Sequence, residues 1–230
     1  MKITILTLFP EMFKGPFEQS IIKNAIDKKL VEITYVNIRD SGIGKHKIID
    51  DTEYGGGIGM VMKVDVLHNA IESVRTGENN EEVVLLSATG ETYNQKIAKS
   101  FSKLNHLILI CGHYEGVDER IKKYINMEVS IGDFVLTGGE IPVMLITDSV
   151  SRLITGVLPK GATEDESFSE INNKILLEYP HYTKPRIFKN KHVPDILLSG
   201  NHPEIKKWRE KKAIEVTNSL RPDLLKKRNG

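Results

Sequence analysis

Short apolar segments alternate with amphipathic helical patterns over the first 154 residues, and this alternation restricts the possible folds most. Apolar runs rich in aliphatic or β-branched residues, closed by Gly or Pro signals, predict strands at 3–9, 33–38, 83–88 and 107–111. Helical spacing of apolar residues predicts helices at 20–30, 64–74, 94–104 and 139–154. Strands that alternate with helices predict an α/β fold with a parallel sheet covered on both faces.

Composition excludes several classes of protein. With 40% hydrophobic and 27% charged residues, the chain is not disordered as a whole. Its one cysteine, Cys111, rules out a disulfide framework and a multi-cysteine zinc site, and we predict a packed side chain there. The histidines show no metal-ligand spacing, so no metal site is predicted. No apolar run is long enough to span a membrane, and the N-terminal run is too short for a signal peptide, so we expect a cytoplasmic protein without membrane contact.

Charge divides the chain into two parts of opposite sign. Residues 181–230 hold 13 Lys and Arg against 5 Asp and Glu, a balance of +8, whereas residues 1–180 hold 19 against 26, a balance of −7. This pattern fits either a basic module that binds a polyanion or a solvated basic helix, and charge alone favours neither. Asn201 and Glu204 form a capping pattern that predicts a helix start. We predict domains at 1–156 and 176–230, the second small, helical and basic, joined by an aperiodic linker at 157–175.

Four glycine-rich segments are the candidate ligand-binding loops. They span residues 54–59, 86–90, 111–116 and 131–140, and two of them directly follow predicted strands. Ligands of open parallel sheets bind at the carboxyl ends of the strands. No segment matches the dinucleotide-binding or P-loop patterns, so both kinds of site are disfavoured. One such loop alone is more often a tight turn, but four in one domain favour a binding site.

Six motifs in a fixed order carry a family resemblance: LTLFPEMF, YGGGIGM, CGHYEGVDER, SIGDFVLTGGE, LLEYPHYTKP and LLSGNHPEIKKWR. They run from Met1 to about Leu225, and together the chain resembles the bacterial tRNA (guanine-N1)-methyltransferases, the TrmD family of the SPOUT class. The resemblance implies a trefoil-knotted α/β domain, a homodimer and S-adenosylmethionine as methyl donor. It also implies methylation of guanine N1 at tRNA position 37, beside the anticodon. Composition and periodicity do not themselves indicate a knot.

The resemblance also implies binding residues, taken over position by position. Asp50, Gly57 and Gly59 match positions near the target guanine. Ala88 stands where the family usually has proline, which leaves the backbone shape of its loop open. The implied cofactor-binding residues are Leu86, Ser87, Ala88, Gly112, Tyr114, Glu115, Ile131, Gly132, Asp133, Phe134, Val135, Leu136, Gly138, Gly139 and Pro142.

The chemistry requires a base, because guanine N1 carries a proton and is a poor nucleophile near neutral pH. In the family a carboxylate just before Ser-Phe, normally Asp, is the base. Here Glu166 directly precedes Ser167-Phe168, so either Glu166 is the base or Asp165 keeps the role after an insertion. Arg152 is the candidate cation for charge that develops on the guanine O6. The alternative for Arg152 is an ordinary ion pair with Asp148, one helical turn away.

Two alternatives remain beside this interpretation. A tRNA-binding protein without catalytic activity would also keep the fold, and the departure before Ser167 leaves room for it. A SPOUT enzyme acting on ribosomal RNA is disfavoured, because YPHYTKP and SGNHPEIKKWR resemble the C-terminal domain of the tRNA enzyme. The resemblance further brings in magnesium as an optional cation held by carboxylates. Four aromatic residues are candidates to stack on bases, with core packing favoured for the last: Tyr179, Tyr182, Phe188 and Trp208.

Overall fold

A computed structural model of the protein describes residues 1–171 and 174–225. The chain divides into two units, Met1–Leu158 and Pro159–Gly230. Most of the stretch expected to be a linker, from residue 159 onward, belongs to the second unit. Residues 172–173 of that stretch and residues 226–230 of the expected C-terminal domain lie outside the described residues.

The first unit is built on a parallel sheet. Its strands are β1 (Lys2–Thr7), β2 (Glu32–Asn37), β3 (Asp50–Asp51), β4 (Val61–Met62), β5 (Glu81–Thr92), β6 (His106–Cys111) and β7 (Met127–Ser130). Five of them form one all-parallel sheet in the order β2-β1-β6-β5-β7, while β3 and β4 pair as a short antiparallel ladder. The predicted α/β class with a central parallel sheet is therefore confirmed.

Side chains alternate between the two faces of this sheet, as the two-residue repeat of a strand requires. Ile3 and Ile5 of β1 belong to one hydrophobic cluster, and Leu6 belongs to another. The helices are α1 (Ser20–Asp27), α2 (Val64–Glu72), α3 (Gln95–Phe101) and α4 (Glu140–Ser151). Buried residues of α1, α3 and α4 join the first cluster and those of α2 join the second, so both faces are covered.

Two strands differ from the sequence prediction. The run expected to end at residue 88 continues as β5 to Thr92, with an irregularity in its pairing with β7 between Leu86 and Glu91. The strand β7 was not predicted, because four residues that include a charged Glu128 do not form an apolar run. Both differences lie where the sheet meets the glycine-rich loops.

The second unit contains short strands and one long helix. Its strands are β8 (Ser169–Ile171), β9 (Lys174–Leu176), β10 (Ile187–Phe188) and β11 (Lys191–His192), and its helix is α5 (His202–Leu220). The predicted cap is confirmed, since the Glu204 backbone N–H donates to Asn201 Oδ1 at 3.3 Å. The Leu177 backbone N–H donates to the buried Thr217 Oγ1 at 2.8 Å, which joins the end of β9 to α5. Within the described residues, no helix has the length and apolarity that a membrane crossing needs.

Candidate active site

Three loops line one cavity of about 370 Å³ in the first unit: one lies within β5 at its irregularity between Leu86 and Glu91, and two follow the carboxyl ends of β6 and β7. This is the edge of a parallel sheet where ligands bind, and the volume lies in the range of about 300–1,000 Å³ that small-molecule sites have. The cavity combines apolar side chains with glycine-rich backbone. It can therefore hold a flat aromatic group between apolar walls and meet its polar edge with backbone hydrogen bonds.

The structure places most of the expected cofactor-binding residues around this cavity, and Asp133 is not among its lining residues. His113 and Thr89 line the cavity too, although sequence reasoning did not select them. The expected residues that do line it are Leu86, Ser87, Ala88, Gly112, Tyr114, Glu115, Ile131, Gly132, Phe134, Val135, Leu136, Gly138, Gly139 and Pro142.

The first loop is an excursion from β5 between Leu86 and Glu91. Its return toward β7 needs a glycine, because a Cβ at Gly90 would lie 2.5 Å from the carbonyl carbon of Glu128. The Thr89 hydroxyl donates to Glu128 Oε2 at 3.0 Å, and Ser87 Oγ lies 2.8 Å from Thr89 Oγ1. Glu128, on the neighbouring strand β7, therefore holds the shape of this loop through its hydrogen bond with Thr89.

The second and third loops touch through their backbones. The Gly139 N–H donates to the Gly112 carbonyl at 2.8 Å, and a Cβ at Gly139 would lie 2.6 Å from Cys111 Cα. Only glycine allows this approach, which seats the start of α4 on the end of β6. The close contact also brings the two loops together on one side of the cavity.

Beneath these loops lies a buried carboxylate that sequence reasoning missed. Glu140, the first residue of α4, is only 2% exposed, and its Oε1 accepts a hydrogen bond from the Thr7 hydroxyl at 2.9 Å. Its Oε2 lies 3.8 Å from His113 Nε2. An acidic residue after Gly-Gly at a helix start was a visible signal, but its burial was not.

The residues expected near the target guanine lie beside the second loop. Met60, next to Gly59, accepts a hydrogen bond from the Glu115 N–H at 3.1 Å, and a Cβ at Gly59 would overlap the Glu115 side chain. Burial first, and then a hydrogen bond with Asp50, raises the pKa of the Tyr114 phenol above its ordinary value. Arg39 faces the same phenol and was not selected from the sequence. Gly57 lies in the same glycine-rich segment, where a Cβ would overlap Glu53.

The candidate base residues lie in the second unit, where they line a larger cavity of about 820 Å³. Asp165 is exposed and Glu166 is half-buried. Their turn is held by hydrogen bonds from the Ser169 N–H to the Glu166 carbonyl at 3.0 Å and from the Phe168 N–H to the Leu176 carbonyl at 2.7 Å. Despite its size, this cavity lacks the converging strand ends, so the smaller one is the better cofactor candidate.

Other expected residues lie at the end of α4 and in the second unit. Arg152 is the C-cap of α4 and half-buried, and its backbone N–H donates to the Asp148 carbonyl at 3.2 Å. In the larger cavity, the Arg209 guanidinium lies 4.8 Å from the centre of the Tyr179 ring. Trp208 is half-buried, with its ring 6.4 Å from that of Tyr182.

The single thiol and the potential metal ligands of the described residues are two further features that bear on the chemistry. Cys111 is fully buried, and burial followed by the negative charge of Glu140 raises the pKa of its thiol well above the ordinary value. The thiol therefore stays protonated and packs as a small apolar group, as predicted. Across residues 1–171 and 174–225, no three His, Cys, Asp or Glu side chains are grouped to hold a metal ion.

Comparison with known proteins identifies the family. A family described as tRNA (Guanine-1)-methyltransferase TrmD matches residues 1–227. A tRNA (guanine-N(1)-)-methyltransferase of Dictyoglomus turgidum is 55% identical over 228 residues, which cover 99% of this chain and 91% of that protein. Proteins of the same name from Clostridium botulinum (strain Kyoto) and Carboxydothermus hydrogenoformans are 53% and 52% identical, cover 99% of this chain, and are themselves covered to 92% and 88%. The chain belongs to the TrmD family of tRNA (guanine-1)-methyltransferases.

Proposed function

We propose that the protein transfers a methyl group from S-adenosylmethionine to N1 of the guanine at tRNA position 37, beside the anticodon. The observation that carries this proposal is the family match over residues 1–227, which spans both units of the chain. The converging glycine-rich loops support it, because they offer a methyl donor a cavity of suitable size.

The chemistry of the cavity fits S-adenosylmethionine. Leu86, Ile131 and Pro142 provide apolar walls for an adenine ring, while Gly112 and Gly139 bring backbone close to the cavity. When bound, the cofactor would supply an electrophilic methyl group on a sulfonium, whose carbon–sulfur bond breaks on transfer and leaves a neutral thioether. Magnesium, the optional cation that the family resemblance implies, carries no step of the mechanism proposed here.

The protein's chemical task is to handle the proton on guanine N1. We assign its removal to Glu166 or Asp165, so that the N1 electron pair is free to form the new bond to carbon. Arg152 stabilises the negative charge that spreads onto O6. The spacing supports Glu166 slightly over Asp165, because Glu166 directly precedes Ser167-Phe168.

The second unit is the proposed tRNA-binding part, in the region 176–230, with the segment 157–175 delivering the base when tRNA is bound. Its excess of Lys and Arg fits contacts with phosphates, and the Tyr179 and Tyr182 rings lie in a cavity with Arg209 and Lys206. Since tRNA is its substrate, we place the enzyme in the cytoplasm.

We also propose a homodimer, in which a second copy of the chain covers apolar residues of the first unit. Ile141 and Leu145 lie one turn apart on α4 and are 53% and 44% exposed, and Val135 in the cavity loop is 90% exposed. Sedimentation at micromolar concentration should give about twice the chain mass of 25.9 kDa. Leu145→Lys should shift the protein toward monomer, and a fully active wild-type monomer would contradict the proposal.

The trefoil knot is part of the same proposal. The three loops that such a knot would entangle are the one within β5 and those after β6 and β7, and the strand order β2-β1-β6-β5-β7 brings these three strands together. A knot would explain why loops distant in sequence line a single cavity.

Transfer of a labelled methyl group to unmodified tRNA tests the function, with mass spectrometry to locate the methyl group. We expect label on N1 of guanine 37 and none on the same tRNA carrying adenine at that position. Binding of tRNA without transfer would favour a tRNA-binding protein without catalytic activity. Label on ribosomal RNA alone would favour a SPOUT enzyme that acts on ribosomal RNA.

A further inference from the structure

The buried carboxylate of Glu140 has no part in the proton chemistry proposed above, yet it lies directly under the loops of the cofactor cavity. An ionised carboxylate is costly to bury unless hydrogen bonds and favourable charge compensate for its lost hydration. Compensation is visible here. Glu140 is the first residue of the 12-residue helix α4, whose N-terminus favours negative charge, and Thr7 donates a hydrogen bond at 2.9 Å.

The second carboxylate oxygen faces the loop after β6. Glu140 Oε2 lies 3.8 Å from His113 Nε2. A Cβ at Gly138 would lie 2.5 Å from that oxygen and 2.7 Å from His113 Nε2, so glycine keeps the space between the two groups free. One side chain thus contacts the end of β1 and the loop after β6, and begins the helix that follows the third loop.

His113 connects the buried Glu140 carboxylate with the wall of the cavity. Its ring packs 5.0 Å from the Phe9 ring and 5.3 Å from the Tyr114 ring, measured between centroids. Both His113 and Tyr114 line the cavity, whereas Glu140 is 2% exposed. The negative charge of Glu140 also acts on the Cys111 thiol, which places the carboxylate and this thiol in one buried cluster.

We propose that Glu140 is a positioning residue for the methyl donor. Held by Thr7, its carboxylate fixes the His113 loop against the Gly138-Gly139 turn, and so keeps the cavity in its binding shape without touching the cofactor. This inference rests on the proposed function, in that the cavity takes S-adenosylmethionine.

Calorimetric titration of the full-length protein with S-adenosylmethionine tests the role directly. Glu140→Gln keeps the shape and removes the charge, and Thr7→Val removes the hydroxyl. We expect each to raise the Kd about tenfold, the loss that removal of one charge-assisted hydrogen bond causes. The KM for tRNA should stay within about twofold, because neither residue belongs to the proposed tRNA-binding unit.

Two comparisons separate positioning from general weakening of the fold. Thr7→Ser keeps the hydroxyl and should restore wild-type affinity, and the double variant Glu140→Gln/Thr7→Val should bind no more weakly than either single one, because the two groups act as a unit. As a charge control, Glu72→Gln alters an exposed residue at the C-terminal end of α2, where its Oε1 lies 3.3 Å from Arg75, and should leave the Kd unchanged.

The outcomes are distinct. Unchanged affinity in Thr7→Val and Glu140→Gln, or additive losses in the double variant, would overturn the positioning role while leaving the proposed function intact. If Glu140→Gln does not fold, the comparison of Thr7→Val with Thr7→Ser decides. A wild-type protein that binds no S-adenosylmethionine would instead overturn the proposed function.

Discussion

Replacement of Gly139 by alanine should damage both the fold of the first unit and its cofactor cavity. Gly139 has an ordinary helical backbone, with φ −80° and ψ −4°, so alanine is not excluded by its dihedral angles. The added Cβ would, however, lie 2.6 Å from Cys111 Cα and 2.8 Å from Gly112 N. Because both are backbone atoms of a buried strand end, no side chain can rotate away, and ordinary contact at 3.4 Å requires a shift of about 0.8 Å.

The size of the effect follows from that shift. It would stretch the 2.8 Å hydrogen bond from the Gly139 N–H to the Gly112 carbonyl beyond bonding distance. Overpacking costs about 1–3 kcal/mol and a lost hydrogen bond about 0.5–1.5 kcal/mol, so we expect a loss of about 2–4 kcal/mol in the free energy of unfolding. Scanning calorimetry should show the transition of the first unit lowered by about 4–16 °C, and the Kd for S-adenosylmethionine should rise about tenfold or more.

Gly112→Ala is the matched comparison at the other side of the same contact. Its Cβ would meet the Leu86 carbonyl oxygen at 3.0 Å, which demands a shift of only about 0.4 Å. The loss of stability should therefore be clearly smaller than for Gly139→Ala. Wild-type stability and cofactor affinity in Gly139→Ala, or a larger effect in Gly112→Ala, would refute the steric reasoning.

Three further predictions concern the base, the basic helix and acid stability. Glu166→Gln should lower kcat on the order of 100-fold with cofactor binding retained, and loss of turnover in Asp165→Asn alone would move the base by one residue. Burial would raise the pKa of Glu81, but hydrogen bonds from Thr76 and His106 hold it below its ordinary value, so its stabilising effect is present above the unfolded pKa and is lost as the pH falls through the folded one. Urea unfolding should accordingly show Glu81→Gln destabilising above the unfolded pKa of about 4.3, with a difference that shrinks as the pH falls below it, whereas a difference independent of pH would contradict this account. Filter binding across salt concentrations should show weaker tRNA affinity and a flatter salt dependence, with unchanged cofactor Kd, after charge reversal of three residues: Lys206, Lys207 and Lys211.

Local sequence was sufficient for the elements of the central sheet. The apolar run of β1 alternates between the two clusters, with Ile5 on one face and Leu6 on the other, and helical spacing marked α1 to α4 within a few residues of their ends. The cap of α5 was readable because Asn201 and Glu204 are three residues apart and interact through a local hydrogen bond. These features depend on residues that are close together in the chain, and the spacing of apolar and capping residues in the sequence is therefore sufficient to predict them.

The candidate site depends on contacts that periodicity does not record. The glycine-rich loops and the family motifs predict most of the residues that line the cavity. Asp133 does not line it, however, whereas His113 and Thr89 do. The excursion of β5 is shaped by its contact with Glu128, which lies 39 residues from Thr89 along the chain.

The sequence alone determined the α/β class, the family and the segments that carry the candidate site. Only the tertiary structure decided that Glu140 is buried against Thr7, 133 residues away, and that Gly139 rests on the backbone of Cys111. The physical reason is that burial and close contact depend on two segments that are distant in the sequence and pack together. The residue type limits which interactions a side chain can make, and the packing of strands and helices decides which partner it contacts.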